Sequence, residues 1–316
     1  FQQVFQPGFS NAYLNQVHDG AILELSGHKL AFSTDTFVVN PLFFPGGTIG
    51  DLAVNGTVND VAMCGADPLY LSAGFILEEG FPLDDLRKIV EAMKNAAAHA
   101  GVMLVTGDTK VVERGSADGV FINTSGIGLV REQIDISPTR AENGDVILLN
   151  GRIGDHGIAV MTKREGLAFE STVKSDCAAL NRMIGAVLDV VPDVHVLRDP
   201  TRGGIGATLN EIALSAQAGI QLQESSIPID EQVVAVSSLL GLDPLYIANE
   251  GKVLVIVPES SAQQALDVMR GFPEGKDSAV IGRVVDKHKG RVVMETKIGT
   301  RRIVDMPSGE QLPRIC

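Results

Sequence analysis

Carboxylates in apolar surroundings are the first residues to account for. Asp35 lies between Thr34 and Thr36 inside Leu30–Val39, a run that reads as a strand. An unpaired carboxylate is disfavoured there. It is either an edge charge or a ligand to a cation, and oxygen donors suit Mg²⁺. Asp51, Asn55 and Asn59 recur four residues apart in Gly47–Met63, so they share one face of a helix whose other positions are mostly small or apolar. Such a stripe is a set of buried hydrogen bonds, or a site for a cation or a polyphosphate. Asp60, next to Asn59, adds a carboxylate and favours the second reading. Val105–Lys110 reads as a strand end, a glycine turn, then Asp108 and Lys110. Those two are a solvated ion pair, or a metal ligand beside a lysine that holds a phosphate or carries a proton.

Two glycine-containing turns add to the set. Arg198-Asp199-Pro200-Thr201-Arg202-Gly203-Gly204 opens a predicted helix. Free N–H groups at a helix start favour anions, although Asp-Pro-Thr is also an ordinary capping sequence. Asn249-Glu250-Gly251-Lys252 precedes a strand and by spacing alone is a hairpin turn. The three cysteines are too few for a disulfide framework. Cys64 and Cys177 read as structural thiols. Cys316 is the last residue, at the end of an extended stretch with two prolines, Pro307 and Pro313. An ordinary thiol has a pKa of ~8.5 and becomes a nucleophile where a cation or a base lowers it. Cys316 is therefore either a thiol presented to an active site or a terminal residue of no consequence. Other chemistries are excluded. There is no Walker A run. Gly203-Gly204-x-Gly206 lacks dinucleotide-binding spacing. No two of the six histidines fall at zinc-ligand spacing, and there is no C-x-x-C.

These residues need a scaffold, and 316 residues make about two domains the natural expectation. A composition of 45% hydrophobic and 21% charged residues supports a sizeable core. The net charge of −13 argues against nucleic-acid and anionic-membrane partners. No run approaches the ~20 apolar residues of a membrane helix. No signal peptide is evident, so a cytoplasmic protein is expected, and a start at Phe1 leaves room for upstream residues. Strands are predicted at 21–25, 30–39, 69–77, 102–106 and 120–130, with helices at 48–64 and 82–99. The second half reads as strands at 145–149, 219–223, 252–257, 278–285, 291–295 and 301–305. Its helices are predicted at 154–164, 176–190, 203–217 and 259–270. The resulting expectation is an α/β protein of the α+β type. Residues 1–140 form one domain and 141–306 a second. A flexible tail, 307–316, reaches at most ~35 Å.

Thr34-Asp35-Thr36, Pro41–Gly47, Asn55–Met63, Val105–Val111, Arg198–Gly204, Asn249–Lys252 and Pro313-Arg314-Ile315-Cys316 together resemble the HypE family of hydrogenase maturation factors. The match runs from about residue 10 to the end. That family belongs with aminoimidazole ribonucleotide synthetase, selenophosphate synthetase and thiamine-monophosphate kinase. The resemblance implies a two-domain ATP-binding fold and a homodimer, with ATP and Mg²⁺ held by N-domain carboxylates near the subunit interface. In place of the superfamily's Gly-Asp-Asp-like turn this chain has Val17-His18-Asp19-Gly20, so Asp19 matches one acid and His18 replaces the other. The implied reaction dehydrates a carbamoyl group on Cys316 to a thiocyanate with ATP. The carbamoyltransferase HypF loads the thiol, and a HypC–HypD iron scaffold receives the cyanide ligand for [NiFe] hydrogenase. The implied metal ligands are Asp35, Asp60, Asp108 and Asp19, with Asn59 and Arg202 toward ATP. Glu250 is the implied base, and Lys110 tunes it or holds the phosphoryl group. Two other readings are a small-molecule kinase or synthetase of the same superfamily and a non-catalytic thiol carrier.

Overall fold

The computed structural model describes residues 8–16, 18–164, 172–307, 309, 312 and 314–316. The first half builds a five-stranded sheet from β1 (Ala21–Leu25), β2 (His28–Phe37), β5 (Ala66–Glu78), β6 (Met103–Val112) and β7 (Val120–Val130), in the order β1-β2-β7-β5-β6. The β5–β6 pair is parallel and the other pairs are antiparallel. Between β2 and β5 the chain makes a small hairpin, β3 (Phe43–Phe44) and β4 (Gly47–Thr48), then helix α1 (Ile49–Met63). Helix α2 (Leu83–Ala100) follows β5, and α1 packs on both α2 and the sheet. Thr48 and Asp51 close a reciprocal cap at the start of α1. Small residues let α1 lie close to its neighbours. A Cβ on Gly50 would stand 2.4 Å from the Ile89 carbonyl oxygen, and one on Gly56 would stand 2.9 Å from the Phe37 ring.

Among the described residues, nothing covers the other face of this sheet. Phe32, Ile127, Tyr70 and Met103 are partners in register across four strands. All four are exposed, at 38–58%. Edge strand β6 is exposed at nine of its ten residues.

The second half forms a seven-stranded sheet in the order β14-β13-β10-β12-β8-β11-β9. Its strands are β8 (Val146–Leu149), β9 (Val196–Arg198), β10 (Gly219–Gln223), β11 (Leu254–Val257), β12 (Ala279–Val285), β13 (Val292–Glu295) and β14 (Arg301–Val304). Val146 and Leu148 pack with α4 (Asn181–Val190) and α7 (Glu259–Arg270) on one face. Ile147 and Leu149 pack with α5 (Gly204–Ala216) on the other. Burial on both faces explains the uninterrupted apolar runs of β8 and β11. Two shorter helices, α3 (Asp155–Arg164) and α6 (Glu231–Leu240), complete the domain. Helix α6, capped by Asp230, was not among the predicted elements. The helix predicted at 176–190 begins only at Asn181. The residues before it form no regular element, and Asn59 of α1 takes the Ala178 carbonyl and the Leu180 N–H in place of helical partners. Among the described residues, no helix is long and apolar enough to cross a membrane.

Candidate active site

Between the two sheets lies a cavity of about 330 Å³ lined by Asp35, Asp60, Asp199, Arg202, Glu250 and Cys316, with Ile315 and Leu312 alongside. The residues arrive from widely separated parts of the chain. Asp35 comes from β2, Asp60 from α1, Asp199 and Arg202 from the turn between β9 and α5, and Glu250 from the turn before β11. Asp35 is the exposed one of the four acids, while Asp199 and Glu250 are buried. The Asp35 carboxylate accepts from the Thr36 N–H (2.7 Å), and Asp60 accepts from the Ser33 hydroxyl (2.7 Å). Glu250 Oε1 is buried with no hydrogen-bond partner.

Burial and mutual repulsion push this set toward the protonated form. Asp60 lies well above the usual carboxylate range because it is desolvated and faces Asp199, Asp19 and Asp35. Asp199 is raised well above it too, by burial and then by Asp19. Burial likewise raises Glu250 strongly, with Asp35, Asp176 and Asp199 adding to it. Desolvation raises Asp35, against the Thr36 N–H and Arg202. Desolvated carboxylates facing one cavity, with a spare buried oxygen, offer the hard oxygen donors that Mg²⁺ takes, but among the described residues no three of these acids bring ligand atoms within 4.8 Å of one another.

The other expected site residues fall in different places. Asp19 is buried against Arg198, Nε to Oδ1 2.6 Å, and Arg198 also holds Glu211. It stands behind the cavity wall as a charge partner. Asn59 has both ends of its amide taken, donating to the Ala178 carbonyl (3.0 Å) and accepting from the Leu180 N–H (2.8 Å). Asn55 donates to Cys177 Sγ, and Asp51 caps its own helix. The polar stripe of α1 is thus an inter-domain tie, and only the adjoining Asp60 reaches the cavity. Asp108 and Lys110 pair with each other at 2.7 Å on the exposed edge strand. Register places Asp108 opposite Gly74, then Asn123, then Thr36. Three strand spacings separate it from Thr36, roughly 14 Å, so one protomer does not bring Asp108 together with Asp35 and Asp60.

Several contributors were not anticipated. Asp199 was read as a helix cap, and its place directly after a short strand is what turns it into the cavity. Asp176 accepts from the Glu250 and Gly251 N–H groups and pairs with Lys252 at 2.9 Å. Burial pushes Asp176 up, but Lys252 and these donors win and hold it below the usual range. No local pattern marks Asp176, whose partners are over seventy residues away. The end of the tail, expected to be flexible, is seated. Val38 N–H donates to the Cys316 carbonyl (2.9 Å) and Asn40 N–H to that of Arg314 (3.2 Å). The last residues therefore run antiparallel to the chain beyond β2, with Leu312 and Ile315 buried. Cys64 and Cys177 fit their structural reading, since burial raises both thiols.

With its mixed-sheet domain and two-sided α/β domain, the chain belongs to the AIR synthase related proteins. The N-terminal domain model of that family matches residues 17–130 and its C-terminal domain model residues 142–295. Within this class, a carbamoyl dehydratase HypE of Azotobacter vinelandii is 53% identical over 315 residues, covering 100% of this chain and 92% of the relative. A crystal structure of the hydrogenase maturation protein HypE in complex with ATP superposes with a TM-score of 0.89 at 51% identity, covering 100% of this chain and 95% of that one. A HypE–HypF complex gives 0.93 at 48% identity, covering 97% and 99%. The chain belongs to the HypE family, the carbamoyl dehydratases of hydrogenase maturation.

Proposed function

We propose that this chain uses ATP to dehydrate a carbamoyl group carried on Cys316, turning the S-carboxamide into a thiocyanate that supplies cyanide to the iron of [NiFe] hydrogenase. The observation that supports this best is the seat of Cys316: it lines the same cavity as Asp35, Asp60, Asp199, Arg202 and Glu250. A primary amide oxygen is a poor leaving group, and the phosphoryl group of ATP makes it a phosphate. Mg²⁺, when bound, supplies charge neutralisation for the phosphates. Asp35, Asp60 and Asp199 would hold that ion. Arg202, beside the glycines that start α5, contacts phosphate oxygens. Glu250 takes the protons from the amide nitrogen, and its raised pKa makes it a stronger base than an ordinary carboxylate. Asp176 and Lys252 fix the backbone from which Glu250 projects.

Two partnerships complete the reading. The bare sheet face and edge strand β6 favour a homodimer, which would bring Asp108 and Lys110 of one protomer toward the phosphates held by the other. HypF, crystallised with a relative, loads the carbamoyl group, and a HypC–HypD complex accepts the nitrile carbon. Mass spectrometry of the carbamoylated protein with Mg²⁺ and ATP tests the reaction. The peptide containing Cys316 loses one water, about 18 Da. An unchanged mass while ATP is consumed would refute it, and turnover surviving Cys316→Ser would point to a small-molecule kinase instead.

A further inference from the structure

We infer that His156 is a positioning residue for the tail: its Nε2–H holds the Ile315 carbonyl and so fixes Cys316 in the cavity, and its other nitrogen ties that docked state to the turn carrying Glu250. The inference rests on the reading of Cys316 as the substrate thiol. His156 sits in the first turn of α3, fully buried, with its ring edge-on to Phe44. Nε2 lies 2.7 Å from the Ile315 carbonyl oxygen and Nδ1 lies 2.8 Å from the Ser175 hydroxyl.

The chemistry of the two contacts fixes the tautomer. A carbonyl only accepts, so Nε2 carries the hydrogen. Burial lowers the pKa of this ring, which keeps it neutral and leaves Nδ1 to accept from Ser175. The Ser175 oxygen in turn accepts from the Cys177 N–H (3.1 Å). All three hydrogen bonds point the same way, from the 175–177 segment through the ring to the tail. Between Ser175 and Cys177 stands Asp176, which holds the Glu250 and Gly251 N–H groups. The ring therefore senses the tail on one side and braces the catalytic turn on the other.

Its role differs from that of the other anchors. Val38 and Asn40 bond the tail through backbone N–H groups, and Arg164 reaches Arg314 from a partly exposed position. When the tail swings out to be carbamoylated, those donors are near solvent. Withdrawing the tail uncovers the His156 ring, so its Nε2–H exchanges a desolvated bond to the Ile315 carbonyl for one to water, the weaker of the two. His156 thereby favours the docked state over the open one.

The test is alkylation of Cys316 by iodoacetamide in the full-length protein, read on the C-terminal peptide by mass spectrometry. In His156→Ala the Cys316 rate rises about tenfold, the loss of one buried hydrogen bond. In His156→Gln, whose amide keeps a donor near the Nε2 position, it returns to within about threefold of wild type. In steady-state assays the KM for ATP should stay unchanged and kcat should fall in the alanine variant and recover in the glutamine variant, and a wild-type kcat in the alanine variant would overturn the assignment. A wild-type alkylation rate in folded His156→Ala, or a glutamine variant as open as the alanine one, overturns the assignment. If His156→Ala does not fold, Ser175→Ala carries the test, because it frees the tautomer. A Cys316 rate at least about threefold above wild type supports the assignment there, and a wild-type rate overturns it. Alkylation needs neither ATP nor a carbamoyl group, so this result stands apart from the loss of water that tests the reaction.

Discussion

Glu250 Oε1 is buried without a partner, and three other carboxyl groups face the same space. In a resting protein that arrangement is unfavourable, and the cation and substrate amide proposed for this cavity would relieve it. Replacing Glu250 by Gln keeps the shape and removes the base. Dehydration should fall by about 10²–10⁴-fold while ATP affinity changes little, measured by single-turnover loss of water from the Cys316 peptide beside an ATP-binding titration. A variant that still dehydrates at the wild-type rate would remove Glu250 from the chemistry. Asp199→Asn should act differently. It takes away an acid proposed to hold the ion, so it should raise the Mg²⁺ concentration needed for half-maximal ATP turnover about tenfold or more. An unchanged Mg²⁺ dependence would return Asp199 to the capping role its sequence context suggests.

Helix α1 does two jobs at once, and only one of them was legible from its sequence. Its polar stripe could be read as ligands or as buried hydrogen bonds, because periodicity reports a shared face and not what lies opposite. What lies opposite is the 177–180 segment, more than a hundred residues further along the chain. The same non-locality hid Asp176 and delayed the predicted helix to Asn181. Where one element decides its own structure, the reading succeeded: strand Val120–Val130 and helix Glu259–Arg270 fall on their predicted limits. Asp35, Asp60 and Arg202 were candidates because each is a charged residue in an apolar or glycine-rich setting, whereas Glu250 read by spacing as a hairpin turn and entered only through the family resemblance; the cavity gathers all four. Asn59→Ala tests the tie. It strands the buried Leu180 N–H and the Ala178 carbonyl, so it should lower the unfolding free energy by about 2–3 kcal/mol in urea. Because that segment continues from Asp176 toward Glu250's support, kcat should fall with it. A loss below about 0.5 kcal/mol would mean that solvent replaces the tie.

At the scale of the whole molecule the raised carboxyls and the bare sheet face have measurable consequences. A carboxyl with a raised pKa holds its proton more tightly folded than unfolded, so each such group subtracts stability as pH climbs from about 4 toward its folded value. For Asp155, pushed up to about 6, that window closes near pH 6. Asp60, Asp199 and Glu250, raised by burial and by neighbouring carboxyl groups, act in the same direction. A divalent ion binds the ionised forms, so the rise in Tm on adding Mg²⁺ should be larger at pH 8 than at pH 5.5. An equal rise at both would contradict an ion held by these acids. The sheet face raises the question of how Asp108 can serve a site roughly 14 Å away on its own sheet. Phe32, Ile127, Tyr70 and Met103 form one exposed apolar row running to the strand that carries Asp108. The proposed two-fold-related copy would cover that row and be the route by which Asp108 and Lys110 reach the partner's cavity. Mixing subunits decides the point. Asp60→Ala and Asp108→Ala homodimers should each be inactive. If Asp108 acts across the interface, a mixed dimer has one site with both lesions and one site with neither. Random reassembly should then restore about a quarter of the wild-type rate. If Asp108 acts within its own protomer, every site keeps one lesion and no activity returns.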